Sequence, residues 1–271
     1  MPEHAYHGYT YRLPELEHGY GRNVHLLADP VLLSQLARLC RPDVIQPEIT
    51  ALVRDMYHSL ARIVVANEFP REPTQVETRM FESTERAVWS GDVLDSSARA
   101  ITVGIARAGT LPSQIVFETL THLLRPEQVR QDHVYMARVT DERGCVTGVS
   151  MSGSKIGGDA ADAFVFLPDP MGATGGSLAA TIDLYRTPDQ PAPRKILSLH
   201  LIITPEFIRR IQAAHPDVVI YAIRLDRGMS SDAVLQTGLG QQPEAETGLN
   251  EIQYIVPGAG GVGELLNNSF V

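Results

Sequence analysis

The spacing of apolar residues predicts two helices in the first quarter of the chain. Apolar side chains recur along one helical face from about residue 29, and a longer 3.6-residue period covers residues 47–67. Asn67 and Pro70 follow the second period, and both residue types favour the end of a helix. Residues 1–22 show no sustained period, and we expect them to form an arm that is disordered or packs on another subunit.

A different pattern begins near residue 98, where short apolar runs alternate with amphipathic segments. The runs predict strands over 100–105, 133–138, 163–167, 196–203 and 218–223, and the segments predict helices over 112–124, 178–185 and 205–215. Strands that alternate with helices indicate a parallel sheet with helices on its faces, so the predicted fold class is α/β. Ligands of such sheets bind beyond the carboxyl ends of the strands.

Two polar segments interrupt this alternation. Residues 141–161 are rich in glycine and predict a loop or an irregular hairpin, whereas residues 228–248 predict a surface insertion. We therefore expect a single domain over residues 23–271, preceded by the N-terminal arm.

Composition narrows the possible partners. The 23 basic and 32 acidic residues give a net charge of −9, which argues against a nucleic-acid or anionic-membrane partner. Cys40 and Cys145 are too few for a disulfide framework or a four-thiolate zinc site. No apolar run approaches the ~18 residues of a membrane helix, and the polar start lacks the apolar core of a signal peptide. These features predict a soluble, cytoplasmic protein. Any anionic ligand would be held locally, by clustered backbone N–H groups or by a few arginines.

Residues 163–181 carry the clearest candidate chemistry. An apolar strand leads to Asp169, and a Thr-Gly-Gly-Ser sequence then opens a helix. Glycines let backbone N–H groups approach a phosphate, and a helix start adds unpaired donors and a favourable dipole. Asp169 suits neutral hydroxyls, such as a ribose diol. The same residue types also cap ordinary strand–turn–helix units, so these generic features alone leave both interpretations open.

The specific residues resemble those of the uracil phosphoribosyltransferase family. Asp169-Pro-Met-Gly-Ala-Thr-Gly-Gly-Ser is similar to the family's loop for phosphoribosyl diphosphate (PRPP), with Gly172 where the family usually has leucine. Further similarity follows in the same order along the chain, in Arg107-Ala-Gly, Ala180-Thr-Ile-Asp-Leu, Ala214-His-Pro-Asp-Val and Tyr254-Ile-Val-Pro-Gly-Ala-Gly. The resemblance covers about residues 24–264 and is weaker over 70–95 and 139–160.

The resemblance implies a type I phosphoribosyltransferase fold, in which a hood covers the base above a parallel sheet. The implied reaction is uracil plus PRPP giving UMP and diphosphate, with Mg²⁺ bound mainly through PRPP, in a homodimer or higher homo-oligomer. The implied catalytic residues are Asp169, Arg107 and Arg138. These three residues would also bind PRPP, together with Ala173, Thr174, Gly175, Gly176 and Ser177. The implied uracil-binding residues are Tyr254, Ile255, Gly260, Gly261 and Val262.

One departure from the family bears on activity. The family usually reads Pro-Gly-Leu-Gly-Asp-Ala-Gly-Asp where residues 257–264 read Pro-Gly-Ala-Gly-Gly-Val-Gly-Glu, so Gly261 replaces an aspartate near the ribose and metal. This loss favours a second hypothesis, a catalytically weak homologue that senses PRPP or a pyrimidine nucleotide, unless another group such as Glu264 compensates. A third hypothesis is another base specificity, because the 228–248 insertion would reshape the hood.

Three further side chains have ordinary structural interpretations. Arg107 and Arg138 are also compatible with surface ion pairs, which are common in folded proteins. His200 lies within a predicted strand, where a packed position in the core or at its rim is expected.

Overall fold

The computed structural model describes residues 5–140, 146–188 and 190–269, without the side chains of residues 137–140, 146, 147 and 149. The strands are β1 (Val24–Leu26), β2 (Arg71–Glu77), β3 (Val88–Leu94), β4 (Ala100–Ala106), β5 (Val129–Thr140), β6 (Val146–Lys155), β7 (Phe164–Pro168), β8 (Met171–Gly172), β9 (Lys195–Ile203) and β10 (Val219–Leu225). The α-helices are α1 (Pro30–Leu39), α2 (Glu48–Glu68), α3 (Thr110–Leu123), α4 (Gly176–Asp183), α5 (Pro205–Ala214), α6 (Asp232–Leu235) and α7 (Val262–Asn267).

A largely parallel sheet forms the centre of the molecule. Its strand order is β1-β10-β9-β7-β4-β5-β6, and β8 pairs with the end of β9. Every pair is parallel except β5 with β6, which form an antiparallel hairpin with two register shifts. The predicted α/β class, a parallel sheet flanked by helices, is therefore confirmed, and the described part of 141–161 is an irregular hairpin.

Hydrophobic side chains form a separate core on each face of the sheet. Along β7, Phe164 and Phe166 pack with helices α1–α3, whereas Val165 and Leu167 pack with α4 and α5. Successive residues of a strand point to opposite faces, so a strand covered on both sides needs a continuous apolar run. That requirement explains why the central strands were visible in the sequence as uninterrupted apolar segments.

Local signals also fix the helix starts. The Asp29 carboxylate accepts hydrogen bonds from the first free N–H groups of α1, and Pro30 opens that helix. Thr204 and Pro205 play the same parts for α5, where the Thr204 hydroxyl accepts from the Phe207 N–H. The four helices predicted over 47–67, 112–124, 178–185 and 205–215 are present, with ends shifted by no more than two residues.

The described part of the N-terminal arm differs from its expectation, because it lies against its own chain. The His7 ring hydrogen-bonds Asp92 and Ser90 of β3, at 2.7 and 2.9 Å. The Arg71 guanidinium lies over the Tyr9 ring, 4.5 Å from its centre. The surface that receives the arm is the β2–β3 hairpin, an element that the apolar pattern did not predict because its residues are mostly exposed or half-buried.

Residues 228–248, expected as a surface insertion, are anchored by a buried carboxylate. Glu246 is fully buried and accepts hydrogen bonds from the Tyr20 hydroxyl, the Arg227 guanidinium and the Gly240 N–H. Burial, with the Glu246 charge, raises the pKa of Tyr20, so its hydroxyl remains a donor. This network joins the N-terminal segment, the insertion and the end of β10 into one unit.

Candidate active site

An open cavity of about 550 Å³ lies beyond the carboxyl ends of β4 and β7. These strands are neighbours in the sheet, so the residues that follow them meet at one edge. The wall is formed by residues 105–108, Met136 of β5, part of the segment 169–177, and part of the segment 253–264. Among its charged side chains are Arg107, Asp169 and Glu264.

Arg107 follows β4 and has an exposed guanidinium. Its Nη1 donates to the Ser269 hydroxyl, an exposed hydrogen bond that an anionic ligand could replace. Two residues on, a Cβ added to Gly109 would lie 2.9 Å from the carbonyl oxygens of both Ile105 and Pro168. The glycine of the Arg-Ala-Gly motif therefore allows the start of α3 to approach the end of β7, which brings Arg107 and Asp169 into one cavity wall.

Asp169 is held through its backbone by the neighbouring strand β9. Its N–H donates to the Leu199 carbonyl at 3.0 Å, and its own carbonyl accepts from His200 Nδ1 at 2.6 Å. Burial keeps the His200 ring neutral, so its Nε2 atom, opposite the donating Nδ1, accepts from the Ser198 hydroxyl. The carboxylate accepts from the Met171 N–H at 3.3 Å and lines the cavity. The sequence predicted a packed His200 but not its contact with Asp169.

Burial lowers the pKa of His200 from 6.5 to about 3. Between those two values the unfolded chain binds a proton that the folded chain does not, so folding stability falls as the pH drops through this window. One such proton changes the free energy of unfolding by about 1.4 kcal/mol per pH unit. We expect His200→Gln to flatten the dependence of unfolding free energy on pH between pH 6 and pH 4, measured by urea denaturation.

The exposed His122 provides the matched control for this measurement. His122→Gln should keep the wild-type slope. An unchanged slope in His200→Gln would show that His200 takes up its proton equally in the folded and unfolded chains, and would contradict the lowered pKa of the buried ring.

The segment after β8 turns into helix α4 at the cavity wall. Gly175 is the N-cap and has φ of 75°, a left-handed conformation that glycine adopts without steric cost. Ala173 and Ser177 line the cavity, with Thr174, Gly175 and Gly176 between them. The first N–H groups of a helix have no acceptor within it, and they carry the positive end of its dipole. This arrangement suits a phosphate group.

Gly172, the departure from the family pattern within this segment, is explained by packing. A Cβ at this position would lie 2.8 Å from Ile203 Cγ2 and 3.0 Å from Phe207 Cδ2. The Phe207 ring is fully buried and also packs edge-on against His200. In this chain, therefore, Phe207 takes space that a side chain at residue 172 would need.

We expect Gly172→Leu, which restores the residue usual in the family, to destabilise the protein by about 1–3 kcal/mol through overpacking. Combined with Phe207→Ala, it should cost less than the sum of the two single changes, because the smaller side chain vacates the space. Thermal and urea unfolding of the three variants measure this coupling. Gly153→Ala is the control, since a Cβ there meets nothing within 4 Å. Strict additivity would contradict the packing explanation.

The opposite wall consists of a loop whose backbone groups are held by one backbone bridge and by several side chains. Leu249 and Ile255 form an isolated antiparallel bridge, and the Asn250 side-chain oxygen accepts from the Tyr254 N–H at 2.8 Å. The next turn is fixed at Gly258, whose N–H donates to the Asp226 carboxylate at 2.8 Å while its carbonyl accepts from Arg224 at 3.2 Å. The backbone groups of this wall are therefore positioned before any ligand binds.

Most of the predicted site residues lie around this cavity. Those that line it are Arg107, Asp169, Ala173, Ser177, Tyr254, Ile255, Gly260, Gly261 and Val262. Arg138 lies on β5 opposite Val149, but its side chain and the whole of Cys145 fall outside the described residues.

Sequence reasoning missed Met136, Met171 and Gln253 as lining residues. Apolar or amide side chains carry no spacing signal of their own. Gln253 is marked only by its left-handed backbone, with φ of 63°.

No group of three or more His, Cys, Asp or Glu side chains within the described ranges is arranged to hold a metal ion. No helix in the same part of the chain is long and apolar enough to cross a bilayer.

Comparison with known proteins assigns the family. The uracil phosphoribosyltransferase family model matches residues 26–244. A uracil phosphoribosyltransferase from Lactococcus lactis subsp. cremoris is 27% identical over 237 residues, which cover 88% of this chain and 94% of that protein. Another from Chlamydia muridarum is 44% identical over 86 residues, 32% of this chain and 27% of that protein.

A solved structure of similar fold is that of the AQ2163 protein from Aquifex aeolicus. It has a TM-score of 0.67 and 18% identity, and the match covers 90% of this chain and 97% of that one. The likeness supports the fold, whereas the family match extends over most of the sequence. The chain therefore belongs to the uracil phosphoribosyltransferase family, whose members are phosphoribosyl-transferring enzymes.

Proposed function

We propose that this protein transfers the phosphoribosyl group of PRPP to uracil, releasing UMP and diphosphate, as a step of pyrimidine salvage. The observation that carries the proposal is the composition of one cavity. Arg107, Asp169 and the 173–177 segment form one side of it, and the backbone-rich segment 253–264 forms the other. A polyanionic sugar donor fits the first side, and a small planar base with polar edges fits the second.

Each part of the donor has a matching group on the first side. The N–H groups of residues 174–177 and the Ser177 hydroxyl would bind the 5′-phosphate at the start of α4. The Asp169 carboxylate would accept from the ribose hydroxyls, as charge-assisted hydrogen bonds. Arg107 would pair with the diphosphate, and Arg138 would be the second arginine that the family resemblance implies.

The base would be read by backbone groups of the second side. Ile255 and Gly260 line the cavity, and their N–H and C=O groups would pair with the imide edge of uracil. Fixed backbone groups discriminate strongly, because a base that does not match leaves a polar group unpaired. The hood that the family resemblance implies would exclude the larger purines.

The proposed reaction asks the protein for positioning and charge stabilisation rather than for a nucleophile. Uracil N1 forms a bond to ribose C1′ and loses its proton, while the C1′–oxygen bond breaks and its electron pair leaves with diphosphate. The ribose gains positive character in the transition state. Asp169, beside the sugar, and Arg107, beside the leaving group, would stabilise the charges that develop, and the cavity would hold the two substrates in line.

The residues present fit a Mg²⁺ ion that arrives with the donor. Mg²⁺ prefers oxygen ligands and is often held by one or two carboxylates together with substrate phosphates. The cavity offers the carboxylates of Asp169 and Glu264, and the described residues contain no three-ligand cluster that would bind the ion alone. When bound, the metal neutralises charge on the leaving diphosphate.

The experiment that tests the proposal is a chromatographic assay with PRPP, Mg²⁺ and a panel of bases. We expect UMP from uracil, and little or no product from cytosine, adenine or hypoxanthine. If the nucleotide forms mainly from another base, that base is the acceptor and the proposal of uracil is wrong. Light scattering of the same sample tests the homo-oligomer that the family resemblance implies.

A second candidate function is favoured by Gly261, which removes a carboxylate that the family usually has. In that case the protein would bind PRPP or UMP as a sensor and catalyse little transfer. Calorimetry on the sample used for the assay separates the two functions. Binding of PRPP or UMP without turnover would support the sensor. If neither PRPP nor UMP binds, neither compound is a ligand of this protein and both candidate functions are wrong.

A further inference from the structure

We infer that the Glu264 carboxylate contacts the PRPP donor in this cavity, and that glycine at residue 261 leaves the space that the carboxylate occupies. This inference rests on the proposed function, since it adds a substrate-contacting residue to the same site. It makes residues 261 and 264 one functional pair, in which the missing side chain of one residue leaves room for the carboxylate of the other in its present position.

The geometry at Gly261 is the first support. If a Cβ is added to this glycine, its three nearest neighbours are all atoms of the Glu264 side chain: the Oε2 atom, in direct collision, Cδ at 3.0 Å and Cγ at 3.7 Å. The carboxylate therefore lies directly over residue 261. Both residues line the cavity. Gly261 has φ of −80°, so its backbone does not itself require glycine.

The second support is that the chain gives Glu264 no other evident task. Within the described ranges its carboxylate has no hydrogen-bond or ion-pair partner. The residue is half-buried in the first turn of α7, three positions after the N-cap, where an acidic side chain can cap its own helix. Such capping would be a purely local role, and the test below is designed to separate it from substrate contact.

The position of α7 points to the donor rather than the base. A Cβ added to Gly263 would lie 3.3 Å from the Ala108 Cβ, so the start of α7 packs beside the Arg107 loop. The side of the cavity next to Arg107 is where the proposed diphosphate and ribose would lie. A carboxylate near a polyanion is stabilised only if it faces hydroxyl groups or a cation. The donor carries both, as ribose hydroxyls and as Mg²⁺ bound to diphosphate.

A double-mutant cycle tests this inference. The variants are Glu264→Ala, Gly261→Ala and the double change, with Glu244→Gln, an exposed carboxylate outside the cavity, as control. Calorimetry measures the Kd of PRPP with and without Mg²⁺, and thermal unfolding measures Tm. We expect each single change to weaken PRPP binding about tenfold or more, because alanine at 261 must displace the carboxylate that alanine at 264 removes. The double variant should bind no more weakly than either single variant.

The Mg²⁺ arm identifies the contact. A loss of affinity that is present only with Mg²⁺ assigns Glu264 to the cation, and an equal loss without the ion assigns it to the ribose hydroxyls. If Glu264→Ala lowers Tm and leaves the Kd of PRPP unchanged, Glu264 is a helix cap and the inference is wrong. The inference is also wrong if the factors by which the two single changes raise the Kd of PRPP multiply in the double variant, because the two residues then act independently. If the wild-type protein itself fails to bind PRPP, the proposed function fails, and this inference with it.

Discussion

Replacing Asp169 with asparagine should lower kcat/KM for PRPP by about 100-fold, which corresponds to about 3 kcal/mol of lost transition-state stabilisation. Asp169 lies at the carboxyl end of β7, in the wall of the cavity. Its backbone N–H and C=O groups both hydrogen-bond residues of β9. Asparagine keeps the size of the side chain but loses the charge that strengthens a hydrogen bond to a ribose hydroxyl. Initial rates of UMP formation at varied PRPP concentrations measure the effect.

The control for this variant is Asp183→Asn, which changes an exposed aspartate of α4 outside the cavity. It should leave kcat/KM within twofold of wild type, on the order expected for a surface substitution. The Tm of Asp169→Asn should stay close to that of wild type, because the backbone hydrogen bonds of residue 169 are retained. An unchanged kcat/KM would show that the Asp169 carboxylate does not contact the donor in the transition state.

Asp226→Ala should destabilise the protein by about 3–5 kcal/mol, the cost typical of leaving a buried charge without its partner. Asp226 is 2% exposed and pairs with Arg224 through both carboxylate oxygens, at 2.6 and 2.8 Å. It also accepts from the Gly258 N–H. Removing it leaves the half-buried Arg224 guanidinium without its only carboxylate partner among the described residues, and leaves that N–H without its acceptor. Urea denaturation of the purified variant measures the loss.

An exposed ion pair provides the matched comparison for Asp226. Asp43 pairs with Arg38 at a similar distance, but both side chains are well exposed, so Asp43→Asn should change the unfolding free energy little. Because Gly258 begins the turn that leads to Gly260 and Gly261, Asp226→Ala should also raise the KM for uracil more than the KM for PRPP. Equal stability of the two variants would contradict a structural role for the buried pair.

The sequence predicted the elements that are buried on both faces. Strand β7 and its neighbours appear as continuous apolar runs because each side chain meets a helix layer, and α2 shows a clear period because one face packs on the sheet. The positions of the segments at 107 and 169–177 were also predictable, since both follow apolar strands of a parallel sheet, but their glycines and helix start alone left the chemistry open. The resemblance to a family then implied the roles that are proposed for them.

The remaining elements depend on contacts that no local pattern contains. Strand β1 has only three residues and is recognisable only through its register with β10. The β2–β3 hairpin is largely exposed, and Pro73 lies within its first strand. Glu246, expected on the surface with the rest of the 228–248 insertion, is buried because its partners Tyr20 and Arg227 come from elsewhere in the chain. Long-range pairing of polar groups decides all three cases.

The position of Glu264 over Gly261 is likewise a contact that no local pattern in the sequence contains. The sequence showed that an aspartate usual in the family is absent, and it left open whether another group replaces it. The structure places the longer Glu264 side chain directly over the glycine. A one-residue comparison would therefore count a lost carboxylate where the structure keeps one in the cavity.

The measurement that tests the central claim most directly is phosphorus NMR of the purified protein mixed with PRPP, uracil and Mg²⁺. The spectrum follows the donor, the nucleotide and diphosphate in one sample. The account predicts that each PRPP consumed yields one UMP and one diphosphate. Unchanged PRPP, or PRPP cleaved to ribose 5-phosphate and diphosphate without UMP, would contradict it.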